Sequence, residues 1–258
     1  MFEDKSILIT GGTRGIGYHL VKECATRGAK IVATGRSFET IEKAKLNLGK
    51  DLRGNITWMK CDLTNSQTRS SFFNQISLLD HKFDGIFHNA GIMATRDITK
   101  QSEAAKNGDQ DDAPSTKDET EVNLVAPIEL TEKLLPEMAS SMKKGFICFV
   151  SSGLALTPRK ANPIYCATKA GIRSFSKSLR AQCKAYAPHI SIIEALPPLT
   201  DTDLTGPHSV GMNPADVAAE IVNGIEKGCI EIYIGSVNML RWILWLAPTF
   251  GENMIIHK

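Results

Sequence analysis

Tyr165 and Lys169 stand four residues apart at the start of an apolar-periodic run: Ile164, Ala167, Gly171, Ile172, Phe175, Leu179. That period predicts a helix, and on a helix the two side chains share one face, about 5–6 Å apart at Cβ. An ammonium so near a phenol favours the phenolate and is expected to lower the phenol's pKa. Ser152 precedes the pair, just after the strand-like run Phe146 to Val150. A hydroxyl, an acidified phenol and a cation together suit proton transfer to or from a carbonyl or alcohol oxygen. Each piece alone is commonplace, since Tyr and Lys fall one turn apart by accident and serine pairs end many strands. Upstream residues give the trio its weight.

Those residues begin with Ser6 to Thr10, a short apolar run fit for a buried parallel strand. It leads into Gly11-Gly12-Thr13-Arg14-Gly15-Ile16-Gly17, then a helical pattern through Leu20, Val21 and Cys24 to Gly28. Strand, glycine turn and helix form the arrangement that holds a pyrophosphate at a helix N-terminus, on backbone N–H groups and the helix dipole. The spacing is Gly-x-x-x-Gly-x-Gly rather than Gly-x-Gly-x-x-Gly, and a plain structural loop is the lesser alternative. A second strand, Lys30 to Gly35, ends at Arg36 and offers no carboxylate. An Asp or Glu there would bind a ribose 2′-hydroxyl, whereas an Arg accommodates a 2′-phosphate. Arg14 could add a second guanidinium, and two forks suit a phosphate dianion. The expected cofactor is therefore NADP(H); the alternative is that either arginine is a surface charge.

The rest of the chain keeps alternating. Phe38 to Leu48 reads as a helix, Ile56 to Cys61 as a third strand, Ser66 to Leu79 as a helix and Gly85 to His88 as a fourth strand. Asp62 follows the third strand, placed either to accept from an adenine amino group or to cap the next helix. Asn89-Ala90-Gly91 follows the fourth, where small residues allow a ligand close to the backbone. Residues 92–118 read as a polar interruption, with Asp109, Asp111 and Asp112 in a long exposed loop that could hold a short helix. Helical periodicity resumes at Glu119 and encloses Asn123, a mid-helix amide that needs a polar reason. It either bends the helix and holds a water relay or is simply a satisfied amide. Ile190 to Leu196 is a sixth strand, leading through Pro197-Pro198 to Thr202 and a loop reaching Met212 that could cover a substrate. Pro214 to Lys227 is a helix with proline in its first turn, and Ile230 to Ile234 is a seventh strand. This order predicts an α/β chain with a parallel sheet covered on both faces.

Composition narrows the classes. A chain of 258 residues fits one α/β domain. A net charge of +2 gives no drive toward nucleic acid, and Lys143-Lys144 and Arg159-Lys160 read as solvated loops. Six cysteines without Cys-x-x-Cys spacing read as reduced thiols, and six histidines without ligand spacing argue against a metal site. The opening Met-Phe-Glu-Asp-Lys is no signal peptide, so the cytoplasm is the expected compartment. The tail, 236–258, is apolar with Met239, Leu240, Trp242, Trp245 and Leu246, and Pro248 is expected to end the run. It is too short to span a bilayer. Docking on its own domain or a sister subunit is the first reading; peripheral membrane contact or a substrate-site wall is the second.

Taken together, the motifs resemble the short-chain dehydrogenases/reductases, over nearly the whole chain from Thr10 to at least Thr202. Thr10-Gly11-x-x-x-Gly15-x-Gly17 is similar to that family's glycine motif and Asn89-Ala90-Gly91 to its Asn-Ala-Gly motif. Asn123, Ser152, Tyr165 and Lys169 match its tetrad, with twelve residues between serine and tyrosine. Ser-Gly-Leu-Ala, Tyr-Cys-Ala-Thr-Lys-Ala and Ala195-x-Pro-Pro-x-x-x-Thr202 resemble its DltE-type branch, with Pro198 where most members have glycine and His88 where Asn is usual.

The resemblance implies a doubly wound Rossmann fold: a seven-stranded, mainly parallel sheet of order 3-2-1-4-5-6-7 in a single domain, 1–258. It also implies an NADP(H)-dependent oxidoreductase acting on a small carbonyl or alcohol, usually a homodimer or homotetramer. Ser152, Tyr165, Lys169 and Asn123 would be catalytic. Gly11, Thr13, Arg14, Ile16, Arg36, Asp62, Leu63, Asn89, Ala90, Gly91, Tyr165, Lys169, Pro197 and Thr202 would hold the cofactor. A cofactor-binding sensor or scaffold without turnover, membrane-peripheral through its tail, is the alternative.

Overall fold

A computed structural model describes residues 1–79, 82–99, 113–202 and 211–257. Asp109, Asp111 and Asp112, and the stretch 203–210 of the expected substrate-covering loop, lie outside them. Seven strands form one sheet: β1 Ser6–Ile9, β2 Lys30–Gly35, β3 Ile56–Lys60, β4 Gly85–His88, β5 Gly145–Val150, β6 Ile190–Leu196 and β7 Glu231–Tyr233. Their order is β3-β2-β1-β4-β5-β6-β7. Every ladder is parallel, so the sheet is wholly rather than mainly so. The near-continuous apolar strands follow from burial on both faces. Ile7, Ile9, Phe146, Cys148 and Val150 enter one core layer, while Leu8, Ile147 and Phe149 enter the other. Successive side chains alternate across the pleat, so one strand feeds both layers. Each large side chain so buried contributes about 1.5–3 kcal/mol.

Helices cover both faces. On one lie α1 Gly15–Thr26 and, after five others in chain order, α7 Pro214–Glu226, with Leu20, Val21, Ile221 and Val222 facing the sheet. On the other lie α3 Ser66–Ser77, α5 Ala126–Ser140 and α6 Pro163–Tyr186, contributing Phe72, Leu130, Leu134, Ile172 and Leu179. Between them in the chain come α2 Phe38–Asn47 and the short α4 Thr116–Thr120. Helix α4 starts three residues before the periodicity suggested, because Ser115 and Asp118 form a capping box.

Between α4 and α5 the chain winds as a π-helix, Glu121–Val125, around Asn123. Arg69 of α3, almost wholly buried, reaches across to Glu121 (2.7 Å) and Glu129 (2.8 Å), fixing α3 against this segment.

The tail forms two helices, α8 Ser236–Leu246 and α9 Pro248–Ile256. Pro248 therefore starts a helix rather than only ending one. Its fixed φ and missing N–H suit a first helical turn, and the break falls at Ala247 (φ −144°, ψ 72°), outside the helical region. Val237 is buried, and Lys160 N donates to Ile256 O (3.0 Å), so the hairpin lies on the chain's own body. Met239, Trp242, Trp245, Leu246 and Phe250 are exposed. No helix among the described residues is long and apolar enough to cross a membrane.

Candidate active site

Between β1 and β4 the sheet order reverses direction, and a cleft of about 640 Å³ runs along the C-terminal ends of the strands there. Such a switch point is where open α/β sheets take ligands. At one end lies the glycine turn. Gly11 (φ +66°) and Gly15 (φ +53°) adopt backbone that side chains disfavour. A Cβ on Gly17 would meet Gly11 O at 2.1 Å and Asn89 Nδ2 at 2.3 Å. Helix α1 has no acidic residue in its first turn and no side-chain cap, so its leading N–H groups are left for an anion.

The turn is held from behind. Gly11 N donates to Thr34 Oγ1 (3.1 Å), while Asn89 Nδ2 donates to Thr10 O and Gly11 O (each 3.1 Å). Thr10 Oγ1 accepts from Asn89 N and Ala90 N (each 3.1 Å). Asn89 thus has a scaffolding task besides facing the cleft, and Thr10 and Thr34 share it. Thr34, hidden in an apolar strand, gave no sign of this in the sequence.

The other residues assigned to a dinucleotide surround the same space. Thr13, Arg14 and Ile16 line it from the turn, Arg36 from the end of β2, and Asp62 and Leu63 from the end of β3. Ala90 and Gly91 line it beyond β4, and Pro197 and Thr202 beyond β6. Arg14 and Arg36 are both exposed. Asp62 does not cap α3; Asn65 does, accepting from Gln67 N and Thr68 N. The Asp62 carboxylate closes a turn on Thr64, accepting from its N (3.0 Å) and Oγ1 (2.8 Å).

In the middle of the cleft are Ser152, Tyr165 and Lys169, on the β5–α6 connection and the first turns of α6. All three are buried. Lys169 Nζ lies 5.6 Å from the Tyr165 ring centroid and donates to Val150 O (2.8 Å). Ser152 hydrogen-bonds the phenol and also accepts from Leu154 N (3.1 Å).

Contrary to the sequence-based expectation, the phenol's pKa is not lowered. Burial pushes it up to about 12, eased by the Ser152 hydrogen bond and by the positive charge of Arg159. Burial also pulls Lys169 down to about 8, opposed by the charge of Glu194. The ammonium is desolvated along with the phenol, and helical spacing alone could not show that.

Asn123 does not line the cleft. Its Oδ1 accepts from Ile92 N (2.9 Å), and its Nδ2 donates to Ile92 O (2.8 Å) and Thr168 Oγ1 (3.2 Å). It ties the π-turn to the segment after β4 and to α6. His88 is also enclosed, paired with Thr131 Oγ1 (2.9 Å) and stacked on Phe149 (4.8 Å between centroids). Burial drops its pKa to about 3, so the ring is neutral.

Arg159, read as part of a solvated loop, lines the cleft, and Leu240 and Ile255 make the tail a wall of the cleft, the second of the two readings given for it. Glu194 is a lone carboxylate in an apolar strand, wholly buried and paired with Arg173. Its isolation in Ile190–Leu196 was the available signal.

Comparison with known proteins agrees with this geometry. The chain matches the family described as short chain dehydrogenase over residues 5–212. It belongs to the short-chain dehydrogenase family. Among the family's curated members it is 29% identical over 245 residues to the uncharacterized oxidoreductase DltE of Bacillus subtilis (strain 168). That match covers 92% of this chain and 91% of DltE, in keeping with the DltE-type branch. A short-chain dehydrogenase from Burkholderia cenocepacia J2315, solved in complex with NADP, superposes with TM-score 0.80 at 19% identity, covering 100% of both chains. One from Burkholderia phymatum, solved in complex with NAD, superposes with TM-score 0.77 at 16% identity, covering 95% of each chain. The chain is thus a short-chain oxidoreductase of Rossmann fold, and its cleft fits a nicotinamide dinucleotide: a glycine turn with no room for side chains, an uncapped helix N-terminus, and a tyrosine, serine and lysine further along.

Proposed function

We propose that this protein is an NADP(H)-dependent oxidoreductase interconverting a carbonyl and an alcohol, working as a single domain over 1–258. The convergence of Ser152, Tyr165 and Lys169 on one cleft with the glycine turn is the observation that carries this reading. The bound cofactor supplies or takes the hydride. Tyr165 gives its proton to the carbonyl oxygen in reduction and takes it back in oxidation. Ser152 holds that oxygen where negative charge develops. Lys169 holds positive charge beside the phenol and donates to the nicotinamide ribose. Asn123 steadies the π-turn behind Lys169 and supports a water relay to it. Gly11, Thr13, Ile16, Leu63, Asn89, Ala90, Gly91, Pro197 and Thr202 hold the dinucleotide, with Asp62 toward the adenine. Following NADPH absorbance across a panel of ketones, aldehydes and alcohols tests the reading; a panel with no turnover on any compound defeats it.

Arg14 and Arg36 select the 2′-phosphate. In support, Arg14 lines the cleft from the glycine turn and Arg36 from the end of β2, which carries no carboxylate. Arg36→Ala is expected to weaken NADPH binding about tenfold or more, a charge-assisted pair being worth about 1.5–3 kcal/mol, and to affect NADH far less. Titration of both cofactors by fluorescence reads this, and equal losses would remove the selectivity argument.

The protein is further expected to work in the cytoplasm, as its six free cysteines suit a reducing compartment, and to form a homodimer or homotetramer. Exposed Met239, Trp242, Trp245 and Leu246 on α8 support the assembly. Sedimentation should give at least twice the 28.2 kDa chain mass, with Trp245→Glu shifting it down; a monomer at micromolar concentration would refute it.

A further inference from the structure

Asn162 occupies the N-cap position of α6 yet makes no side-chain cap hydrogen bond. Asparagine is among the best N-cap residues, and such a cap is worth about 1 kcal/mol. Its side chain is engaged elsewhere. Nδ2 donates to Ala94 O (2.9 Å), and Oδ1 accepts from Arg159 Nε (2.7 Å) and Nη2. Asn162 is completely buried, so its grip on Arg159 is fixed from within. The same guanidinium rests against Met93 Sδ (3.9 Å). One side of the fork is thus anchored, and no described residue accepts from Nη1.

Arg159 faces the cleft without a carboxylate partner among the described residues. Two carboxylates of α4, one of them lining the cleft, are committed elsewhere. Glu119, fully buried, accepts from Ala94 N (3.1 Å) and pairs with Arg96 (3.0 Å). Asp118 closes the capping box with Ser115. Apolar Met93, Leu154, Leu240 and Ile255 also line the cleft, and Lys160 N, next along the chain from Arg159, donates to Ile256 O (3.0 Å), which brings the tail beside it. Arg159 lies on the Tyr165 side, where its charge acts on the phenol, while Arg14 and Arg36 stand by the glycine turn and the end of β2. A guanidinium held on a buried amide at the wall of the cleft, with no carboxylate partner among the described residues, is a receptor for an anionic oxygen group.

We propose that Arg159 binds a carboxylate carried by the substrate, so that this oxidoreductase acts on oxo acids, or the corresponding hydroxy acids, whose carbon chain lies against Met93, Leu154, Leu240 and Ile255. A monoanion fits better than a phosphate dianion, because one guanidinium with one edge already engaged has a single face to offer. The proposal rests on the dehydrogenase reading above, which names the reaction but not the substrate class.

The test uses straight-chain oxo acids of increasing chain length, each beside its methyl ester, with NADPH oxidation followed for the wild type, Arg159→Gln and Arg159→Lys. The wild type is expected to prefer the acid over its ester by about tenfold or more in kcat/KM at the best chain length. Arg159→Gln should lower the acid's kcat/KM by about tenfold to a hundredfold, mainly through KM, with a smaller loss on the ester, so that the preference falls toward one. Arg159→Lys, which keeps a charge but not the fork, should fall between. Equal treatment of acid and ester by the wild type, or equal losses of both in Arg159→Gln, would overturn the proposal. In parallel, calorimetry measures binding of the corresponding hydroxy acids to wild type and Arg159→Gln. Should no compound turn over, the dehydrogenase reading fails, and calorimetry still decides on Arg159: weaker binding to the glutamine variant upholds the anion site, and equal binding overturns it.

Discussion

Tyr165→Phe is expected to lower kcat by about a hundredfold to ten-thousandfold, the usual size of a general acid–base contribution, while NADPH still binds. The substitution removes one oxygen and keeps the ring, so the packing of α6 against the cleft is preserved. The lost atom is the one that hydrogen-bonds Ser152. Burial pushes the phenol up to about 12, well above neutrality. At neutral pH it is therefore fully protonated and ready to donate to a carbonyl oxygen. Oxidation needs the opposite form, so alcohol oxidation should speed up as pH rises into the alkaline range, while carbonyl reduction needs no such rise. The phenylalanine variant should lose both activities, and any residual rate should lack that alkaline limb. Substantial turnover by the variant, with the wild-type pH profile, would remove Tyr165 from its role. Unchanged NADPH affinity, read by fluorescence, separates this result from collapse of the cleft.

Much of this was legible in the sequence because it depends on local periodicity. Runs such as Lys30 to Gly35 and Ile190 to Leu196 are too apolar for a half-exposed strand, and glycines or prolines bound them, so a parallel sheet followed. Tyr165 and Lys169 were legible as a pair because four residues on a helix bring side chains together. Contacts made between distant segments were not. Asn162 looks like an ordinary helix cap until the fold brings Ala94, 68 residues away, to accept from its Nδ2. Arg159 looks like a solvated charge because it opens the short basic run Arg159-Lys160. The Tyr165 pKa was misread for a related reason. Spacing reports that a cation is near, but not that burial has removed water from both partners. Pro248 misled because proline is compatible both with ending one helix and with opening another.

Lys169→Met should give two effects that share one cause. Turnover is expected to fall about a hundredfold, as on removal of a single pre-positioned donor. Stability should change in a pH-dependent way whose sign is fixed. The folded protein holds the Lys169 ammonium at a pKa of about 8, below the ordinary 10.5. Between those two pH values the unfolded chain keeps a proton that the folded chain has released. Unfolding therefore takes up a proton there, and stability rises with pH across that window. Below it, the buried ammonium costs the folded state on the order of 3 kcal/mol, at about 1.36 kcal/mol per pKa unit. Methionine removes that cost, but it leaves Val150 O without its 2.8 Å donor, an offsetting loss of about 1–3 kcal/mol. The variant should accordingly be about as stable as the wild type at neutral pH, and less stable than it at the alkaline end. Urea unfolding at a series of pH values reads the difference directly. Parallel stability curves for the two proteins would mean that Lys169 does not titrate in that window, and the burial argument for its lowered pKa would fail. A flattened curve for the variant, together with the kinetic loss, would tie the buried ammonium to both the fold and the chemistry.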